Sequence, residues 1–326
     1  MNSSLTEMRY LLEAEIEKYN SLLPENRLNE PIRYILSLGG KRIRPSLVLL
    51  AAHAFKGDMK KAVPASLAVE IFHNFTLVHD DIMDKAPLRR GKQTVHEKWD
   101  SNAAILSGDA MLIEAYKQIA LCDVDKVPEL LDLFNSTSIE VCLGQQYDMD
   151  FENEQFVSEE RYLEMIGLKT AVLLGCSLQM GAIISGVSKQ EAQAIYDFGK
   201  AAGIGFQLQD DYLDAFGNPE NFGKQVGGDI MANKKTYLII KALEKASTDK
   251  RKELESIYFE NSISDPDHKV KRVKELFLEI GVDQDIQDKS SAFFTEAKEN
   301  LKRANLDEEG EAQMEAFLET LKSRKY

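Results

Sequence analysis

Two segments of the chain repeat one arrangement of aspartates. Each has an adjacent pair and then a third aspartate three residues further on: Asp80, Asp81 and Asp84, and again Asp210, Asp211 and Asp214. Each follows a long apolar segment with helical periodicity and precedes proline or glycine, which predicts that each cluster lies in the last turns of a helix. Aspartates there face the negative end of the helix dipole, and those four apart repel each other. We therefore expect both clusters to bind cations.

The residue types in these clusters indicate which cation. Carboxylates without a cysteine or histidine set suit a hard, oxygen-seeking ion, Mg²⁺ or Mn²⁺, which often binds together with phosphate and water. The alternative is that both clusters are solvated acidic helix ends, in a chain with 54 aspartates and glutamates. The apolar residues around each cluster, such as Phe72 and Phe206, argue against that alternative.

Several cations stand where they could bind phosphate. Lys41 and Arg44 follow Gly39-Gly40 just before a predicted helix, whose free amides favour anions. The alternative is that they are ordinary surface cations. His73 lies on a polar line along the helix that precedes the first cluster, although it is equally consistent with a satisfied core histidine.

Further cations follow the two clusters. Arg89 and Arg90, in a predicted loop, suit a bidentate grip on diphosphate, a counter-charge to the aspartates, or both. Lys169 lies where Gly167 to Thr170 interrupts an apolar pattern. After the second cluster, a glycine-rich segment from Gly217 to Asp229 is predicted to be a mobile lid that carries Lys224. Lys234 precedes the next predicted helix.

Composition limits the class of protein. The 326 residues contain 44% hydrophobic residues, only eight prolines and no strand-rich region, which favours an all-α fold. A net charge of −14 argues against nucleic acid as a partner. The three cysteines follow no metal or disulfide spacing, and we find no signal peptide, so we expect a cytoplasmic location. No apolar stretch approaches the ~18 residues of a transmembrane helix.

These parts together suit one type of reaction. Two carboxylate clusters, cations enough for two polyanions and much apolar surface suit the ionisation of an allylic diphosphate. Apolar walls would exclude water from the carbocation. No serine–histidine or cysteine–histidine nucleophile pattern is present in the sequence.

The sequence resembles the trans-isoprenyl diphosphate synthases, the polyprenyl synthetase family, over nearly its whole length. Gly39 to Pro45 resembles the family's GGKRxRP motif, and Asp80 to Asp84 with Arg89-Arg90 resembles its first aspartate-rich motif. Gly144 to Asp148 resembles GQxxD, and Lys169-Thr170 the family's KT. Phe206 to Asp214 and Gly223 to Asp229 resemble the second motif and the segment after it. One departure is Asn233-Lys234, where many members have Gly-Lys.

The resemblance implies a single domain over residues 1–326, an all-α bundle of antiparallel helices around a deep central cavity, the isoprenoid synthase type I fold, usually a homodimer. The implied reaction is the head-to-tail condensation of isopentenyl diphosphate with an allylic diphosphate. Mg²⁺ or Mn²⁺, more than one ion per site, would be the cofactor. The implied partners are these two diphosphates, with no transmembrane segment.

The resemblance also implies roles for individual residues. Direct ligands of Mg²⁺ would be Asp80, Asp84 and Asp210. Residues that orient waters or ligands would be Asp81, Asp211, Asp214 and Asp148. The allylic diphosphate would be bound by Arg89, Lys169, Thr170, Gln207, Lys224 and Lys234. Isopentenyl diphosphate would be held by Lys41, Arg44, His73 and Arg90, next to Gly40. The predicted catalytic group consists of the six aspartates of the two clusters, Lys169 and Lys224.

Product length is predicted from the residues before the first cluster. Phe75 lies five positions before Asp80, where the family's short-chain members have an aromatic floor, which suggests C15 to C20 products. Thr76, rather than Phe75, lies nearly under Asp80 on a helical wheel, so both residues are chain-length candidates.

Three alternatives compete with this interpretation. A class I terpene cyclase would ionise one allylic diphosphate and would not need the Gly39 to Arg44 segment. A metal phosphohydrolase built on His79 and Asp80 would need further histidine ligands in a matching pattern. A non-catalytic partner subunit of a synthase would be expected to have a degraded aspartate cluster, and both clusters are intact.

Overall fold

The computed structural model describes residues 3–217, 227–260 and 262–323, and within them nearly all regular structure is helical. The elements in chain order are α1 (Ser3–Leu22), α2 (Asn29–Ser37), α3 (Ile43–Ala54), α4 (Met59–Met83), β1 (Leu88–Arg89), β2 (Lys92–Gln93), α5 (Val95–Lys98), α6 (Ser101–Ile119), α7 (Val127–Asn153), α8 (Glu159–Ile166), a π-helical turn (Gly167–Ala171), α9 (Val172–Ser185), α10 (Lys189–Phe216), α11 (Gly228–Met231), α12 (Tyr237–Lys245), α13 (Thr248–Phe259), α14 (Pro266–Ile280), α15 (Val282–Arg303) and α16 (Glu308–Lys322). The all-α prediction is confirmed.

Contacts within the chain group it into two compact units. The first comprises Met1–Asn135, Cys176–Tyr196 and Arg303–Met314. The second comprises Ser136–Gly175, Asp197–Lys302 and Glu315–Tyr326. The prediction of a single domain over residues 1–326 remains a prediction.

In the first unit, α4 packs against α3 and α6. The α4 helix begins at an N-cap, Asp58, whose side chain accepts a hydrogen bond from the backbone N–H of Lys60. It approaches α6 closely at Gly108, because a Cβ there would lie 2.2 Å from Nε2 of His79. The helix ends at Met83, so the first aspartate cluster occupies its last turn, as predicted.

The second long helix, α10, begins with a capping box, as the sequence from Ser188 to Glu191 predicts. The Ser188 hydroxyl accepts from the N–H of Glu191, and the Glu191 carboxylate accepts from the N–H of Ser188. The helix ends at Phe216, two residues after Asp214, so the second cluster also lies in the last turns of its helix. In the second unit α12 packs against α8 and α14 around a core that includes Leu208, Ile239 and Phe277.

Two local predictions differ from the structure. The predicted interruption at Gly167 to Thr170 is not a break but a π-helical turn, which keeps α8 and α9 continuous. The predicted loop with the two arginines contains a small hairpin, in which Leu88 pairs with Gln93 and Arg89 with Lys92. The turn residues Arg90 and Gly91 have φ of 52° and 73°, and positive φ at both positions is typical of a type I′ turn.

Part of the predicted lid lies outside the described residues, including Gly223 and Lys224. Within the described ranges, one stretch, Glu159–Ser185, is long and apolar enough to cross a membrane by length and composition, and 78% of its most apolar window is buried inside the fold. Buried core helices meet the same criteria.

Candidate active site

The first aspartate cluster is organised by an arginine. Asp81 is buried, and Nε of Arg89 donates to both of its carboxylate oxygens at 2.9 and 2.8 Å, with Nη2 2.7 Å from Oδ1. The same Nη2 lies 3.6 Å from Oδ2 of Asp80. Arg89 is therefore a counter-charge to the aspartates. Asp81 is turned into the protein instead of towards a ligand.

Asp80 and Asp84 lie one turn apart at the end of α4. Asp80 is half-buried and Asp84 is exposed, and the N–H of Asp84 donates to the carbonyl of Asp80 at 2.8 Å. Because Asp81 is held by Arg89, these two carboxylates are the members of the cluster that are placed to meet a ligand.

The hairpin joins the arginines to the double glycine. Arg90 donates through Nη1 to the carbonyl oxygen of Gly39. A Cβ on Gly40 would lie 2.9 Å from the guanidinium carbon of Arg90, and Gly40 has a φ of 139°. Gly40 is thus needed for its conformation and for the close approach of Arg90, which is a role that the motif alone did not reveal.

A buried network lies beneath the same segment. Arg42, in the left-handed conformation with φ of 50°, is 4% exposed and donates to the carboxylate of Glu70, to the carbonyl of Leu36 at 2.6 Å and to Glu13 at 3.1 Å. Asn74 also donates to Glu70, at 2.7 Å. Burial lowers the pKa of Arg42, but Glu70 and Glu13 more than offset this, so the net change is a rise.

In the chain, Arg42 lies between two of the predicted ligands of isopentenyl diphosphate, Lys41 and Arg44. Lys41 is exposed, and Nη1 of Arg44 lies 3.3 Å from Nε2 of His73. Burial lowers the pKa of His73 well below its usual value, and the charges of Arg44, Arg90, Arg89 and Arg42 lower it further. His73 is therefore neutral at neutral pH, and its Nε2 can accept a hydrogen bond from Arg44. It is not an isolated core histidine.

The two chain-length candidates make different contacts. The Phe75 ring packs edge to face on His79 at 4.9 Å and against Phe72 at 5.6 Å. The Thr76 hydroxyl donates to the backbone carbonyl of His73 at 2.8 Å. Phe75 thus belongs to an aromatic cluster, which continues from Phe72 to Phe134, whereas Thr76 bonds to its own helix.

The second aspartate cluster contains a carboxyl group that is buried without an arginine. Asp211 is 5% exposed and accepts hydrogen bonds from the hydroxyl of Tyr162 and, at 3.4 Å, from the amide of Gln207. Burial, followed by the charge of Asp229, raises the pKa of Asp211 to about 8, although both hydrogen bonds act in the opposite direction. A cation close to this group would favour its ionised form.

Asp214 holds the start of the segment that begins at Gly227. Its backbone carbonyl accepts from the N–H of Gly227 at 2.7 Å, and its Oδ2 accepts from the N–H of Asp229 at 3.0 Å. The carbonyl of Asp229 in turn accepts from the N–H of Lys234 at 2.9 Å, and its carboxylate lies 4.0 Å from Nζ of Lys234. Asp214 therefore connects the second cluster to the predicted diphosphate lysine. Asp210 is half-buried beside it on α10.

The π-helical turn positions Lys169. Its Nζ donates to Oδ2 of Asp148 at 2.6 Å, which joins the KT and GQxxD motifs. A Cβ on Gly144 would lie 2.2 Å from the backbone nitrogen of Lys169, so α7 touches the turn at that glycine. A single π-turn inside an α-helix commonly marks a functional site.

A cavity of about 750 Å³ in the second unit is lined by some of the predicted site residues, but not by those of the first aspartate cluster or by the predicted ligands of isopentenyl diphosphate. Its lining includes the predicted site residues Asp148, Lys169, Thr170, Gln207, Asp211 and Lys234. Asp229, Tyr162, Tyr258 and Lys235 also line it, and sequence reasoning assigned no role to them. Tyr162 lies in α8, and nothing local in the sequence indicates that it bonds to Asp211, 49 residues away.

The donor types fit a hard divalent cation. In the described residues, no three histidine, cysteine or acidic side chains are grouped to hold a metal ion by themselves. The sequence interpretation needs only one or two carboxylates per ion, with diphosphate and water as the other ligands. Asp80 and Asp84, one turn apart at a helix end, meet that requirement, and Asp210 occupies the corresponding place on α10.

Comparison with known proteins identifies the class. Residues 25–279 match the polyprenyl synthetase family, and the chain belongs to that family. A geranylgeranyl diphosphate synthase of Methanosarcina mazei is 42% identical over 231 residues, which are 69% of this chain and 71% of the relative. A short chain isoprenyl diphosphate synthase of Methanothermobacter thermautotrophicus is 41% identical over 242 residues, 74% of each chain.

Comparison with solved structures supports the same family assignment. The crystal structure of a geranylgeranyl pyrophosphate synthase covers 100% of this chain and of its own, with a TM-score of 0.93 and 47% sequence identity. The predicted type I isoprenoid synthase fold and short-chain prenyltransferase class are therefore confirmed.

We predict that Glu70→Gln destabilises the protein strongly. The substitution removes the buried carboxylate partner of the Arg42 guanidinium and leaves only the more exposed Glu13, which costs about 3–5 kcal/mol in the free energy of unfolding. Urea denaturation measures this loss. The control is Asp123→Asn, which removes the partner of Lys61 in an exposed ion pair of 2.8 Å and should have a much smaller effect. Equal midpoints for the two variants would contradict a stabilising role for the Arg42 network.

Proposed function

We propose that the protein condenses isopentenyl diphosphate head-to-tail with an allylic diphosphate to give a C15 to C20 all-trans prenyl diphosphate and diphosphate. The observation that carries the proposal is the 750 Å³ cavity of a polyprenyl synthetase chain, in which Lys169 and Lys234 stand with the buried carboxyl of Asp211. The names of the relatives support this length class, since two of them make geranylgeranyl or other short-chain products.

We propose that the allylic diphosphate is bound by the cations of the second unit together with Arg89. Lys169 would exchange part of its interaction with Asp148 for phosphate oxygens, and Lys234 lies on the cavity wall with Thr170 and Gln207. Lys224 is assigned to the same group by its place in the motif. These cations would hold the leaving group while its C–O bond breaks.

Isopentenyl diphosphate would be held by Lys41, Arg44, Arg90 and His73. A neutral His73 supports this role, because it aligns Arg44 without adding charge to the four neighbouring arginines. Arg42, by contrast, is buried and satisfied by Glu70, Glu13 and Leu36, so we assign it to holding this segment and not to binding substrate.

We propose that Mg²⁺, or Mn²⁺ in its place, binds to Asp80, Asp84 and Asp210 with more than one ion per site. When bound, it supplies positive charge to the diphosphate leaving group. Asp81, Asp211 and Asp214 would act by orientation: Asp81 fixes Arg89, and Asp214 fixes Asp229.

The decisive experiment is incubation with labelled isopentenyl diphosphate, each allylic primer and Mg²⁺, followed by sizing of the products. We expect label in prenyl diphosphates of C15 to C20. Hydrocarbon products formed from the allylic diphosphate alone, without label, would instead indicate a terpene cyclase.

We predict that Asp80→Ala and Asp210→Ala each lower turnover by at least about 100-fold, because each removes a carboxylate from metal binding that is worth several kcal/mol in the transition state. Steady-state assays give turnover, and circular dichroism should show unchanged helix content. The matched control, Asp132→Ala, removes an exposed aspartate of α7 and should keep wild-type turnover. Near-normal turnover in either cluster variant would reject the metal assignment.

We predict that Phe75→Ala lengthens the product by one or more five-carbon units, because it opens the aromatic cluster formed with Phe72 and His79. Products are sized by chromatography after removal of the diphosphate. Tyr10→Ala, which truncates an aromatic side chain that is 74% exposed, is the control. If the product profile of Phe75→Ala is unchanged, Thr76 becomes the candidate to test next.

We also propose that the protein is a cytoplasmic homodimer. Leu106 and Ile113, seven residues apart on α6, are 59% and 63% exposed, and such an apolar stripe is typical of a helix that packs on a partner. We predict a mass in solution of about twice 36.8 kDa by light scattering, and conversion to monomer by Ile113→Asp. A wild-type protein of monomer mass at micromolar concentration would count against the dimer.

A further inference from the structure

The first turns of α14 contact the segment that carries Lys234. A Cβ on Gly227, which has a φ of 87°, would lie 2.6 Å from Cγ1 of Val270. The neighbouring Lys269 donates through Nζ to Oδ1 of Asn233 at 2.5 Å. Two adjacent residues of α14 therefore contact both ends of residues 227–233.

Asn233 is suited to this contact by its backbone and by its side chain. Its φ of 54° is left-handed, a conformation that glycine adopts freely and asparagine tolerates better than most residues. This explains why asparagine can stand where many family members have glycine. Glycine would satisfy the backbone but would offer no side-chain oxygen to Lys269.

Lys269 is an unusual residue for simple packing. It is 6% exposed, and its ammonium group lies 5.7 Å from the centre of the Tyr258 ring. Burial lowers its pKa, because removing an ammonium group from water is unfavourable. An apolar side chain of similar length would fill the same space without this cost, so the hydrogen bond to Asn233 is the feature that requires lysine.

The segment between the two contacts leads directly to the cavity. At its start, Asp229 is held by Asp214 of the second aspartate cluster, and the N–H of Lys234 donates to the carbonyl of Asp229. At its end, Asn233 is held by Lys269 and precedes Lys234 in the chain. Lys234 and Tyr258 both line the cavity. The backbone of Lys234 is thus fixed from two sides.

We propose that Lys269 is a positioning residue for the allylic diphosphate site: its bond to Asn233 fixes the backbone from which Lys234 reaches the cavity. The inference rests on the proposed function, since it assumes that Lys234 binds the allylic diphosphate. Lys269 itself does not touch substrate. Its loss should weaken binding of the allylic substrate and leave binding of isopentenyl diphosphate unchanged.

The test compares Lys269→Met and Asn233→Gly with the matched control Lys271→Met, which removes an exposed lysine two residues away on the same helix. We expect each of the first two variants to raise KM for the allylic diphosphate by at least about fivefold, as expected for losing a hydrogen bond from a charged donor. KM for isopentenyl diphosphate should stay within about twofold. The control should match the wild type in both.

A double variant separates positioning from general stabilisation. If Lys269 acts through Asn233, Lys269→Met with Asn233→Gly should behave like either single variant, because the second change removes nothing further. Additive effects, equal increases in both KM values, or an allylic KM within twofold of the wild type in the single variants would overturn the inference. If Lys269→Met does not fold, Asn233→Gly decides, since glycine adopts the same backbone conformation.

A direct measurement of diphosphate binding tests the role of Lys269 independently of the proposed function. If the wild type transfers no prenyl group, the proposed function fails. Calorimetry with inorganic diphosphate and Mg²⁺ would still measure the affinity of the site for diphosphate. Lys269→Met should then bind diphosphate at least about fivefold more weakly than Lys271→Met. Equal affinities would overturn the positioning role on their own.

Discussion

The constraint on which the rest depends is negative charge placed at the carboxyl ends of two long, mostly buried helices. The helix dipole and mutual repulsion both oppose it, and apolar surroundings add a desolvation cost. The two clusters offset these unfavourable effects in different ways. At the end of α4, Arg89 binds Asp81 directly and lies near Asp80. At the end of α10, Asp211 is held by a tyrosine and an amide, which leaves its pKa raised.

Support for the site comes from groups that face away from it. Arg42 is turned into the core between two residues that are proposed to bind substrate, and its ligands come from α1, α2 and α4. Arg90 reaches back to Gly39, and Asp214 reaches forward to Asp229. The bonds of Arg42 and Asp214 connect short irregular segments to helices, and the bond of Arg90 joins the hairpin turn to the double-glycine segment, so the irregular parts of the site are fixed to helices and to one another.

Sequence reasoning succeeded where the signal is local. Apolar periodicity and the following proline or glycine placed both aspartate clusters at helix ends, and the capping box at Ser188 located the start of α10. It could not find partners that are distant in sequence, such as Tyr162 for Asp211 or Glu70 for Arg42. It also read the hairpin around Arg90 as a loop, because two-residue strands have no periodicity to detect. The motif identified Gly40, but only the contact with Arg90 explains it.

The π-helical turn at Gly167–Ala171 has a consequence for how this chain can change. Such a turn contains one residue more than the α-helix around it would need, and each residue corresponds to a rotation of about 100°. Because the wide turn absorbs that residue, the side chains of α9 keep the orientation that an unbroken α-helix would give them. An insertion or deletion further along α9 has no such turn to absorb it, and it would rotate every later side chain of that helix by more than a quarter of a circle.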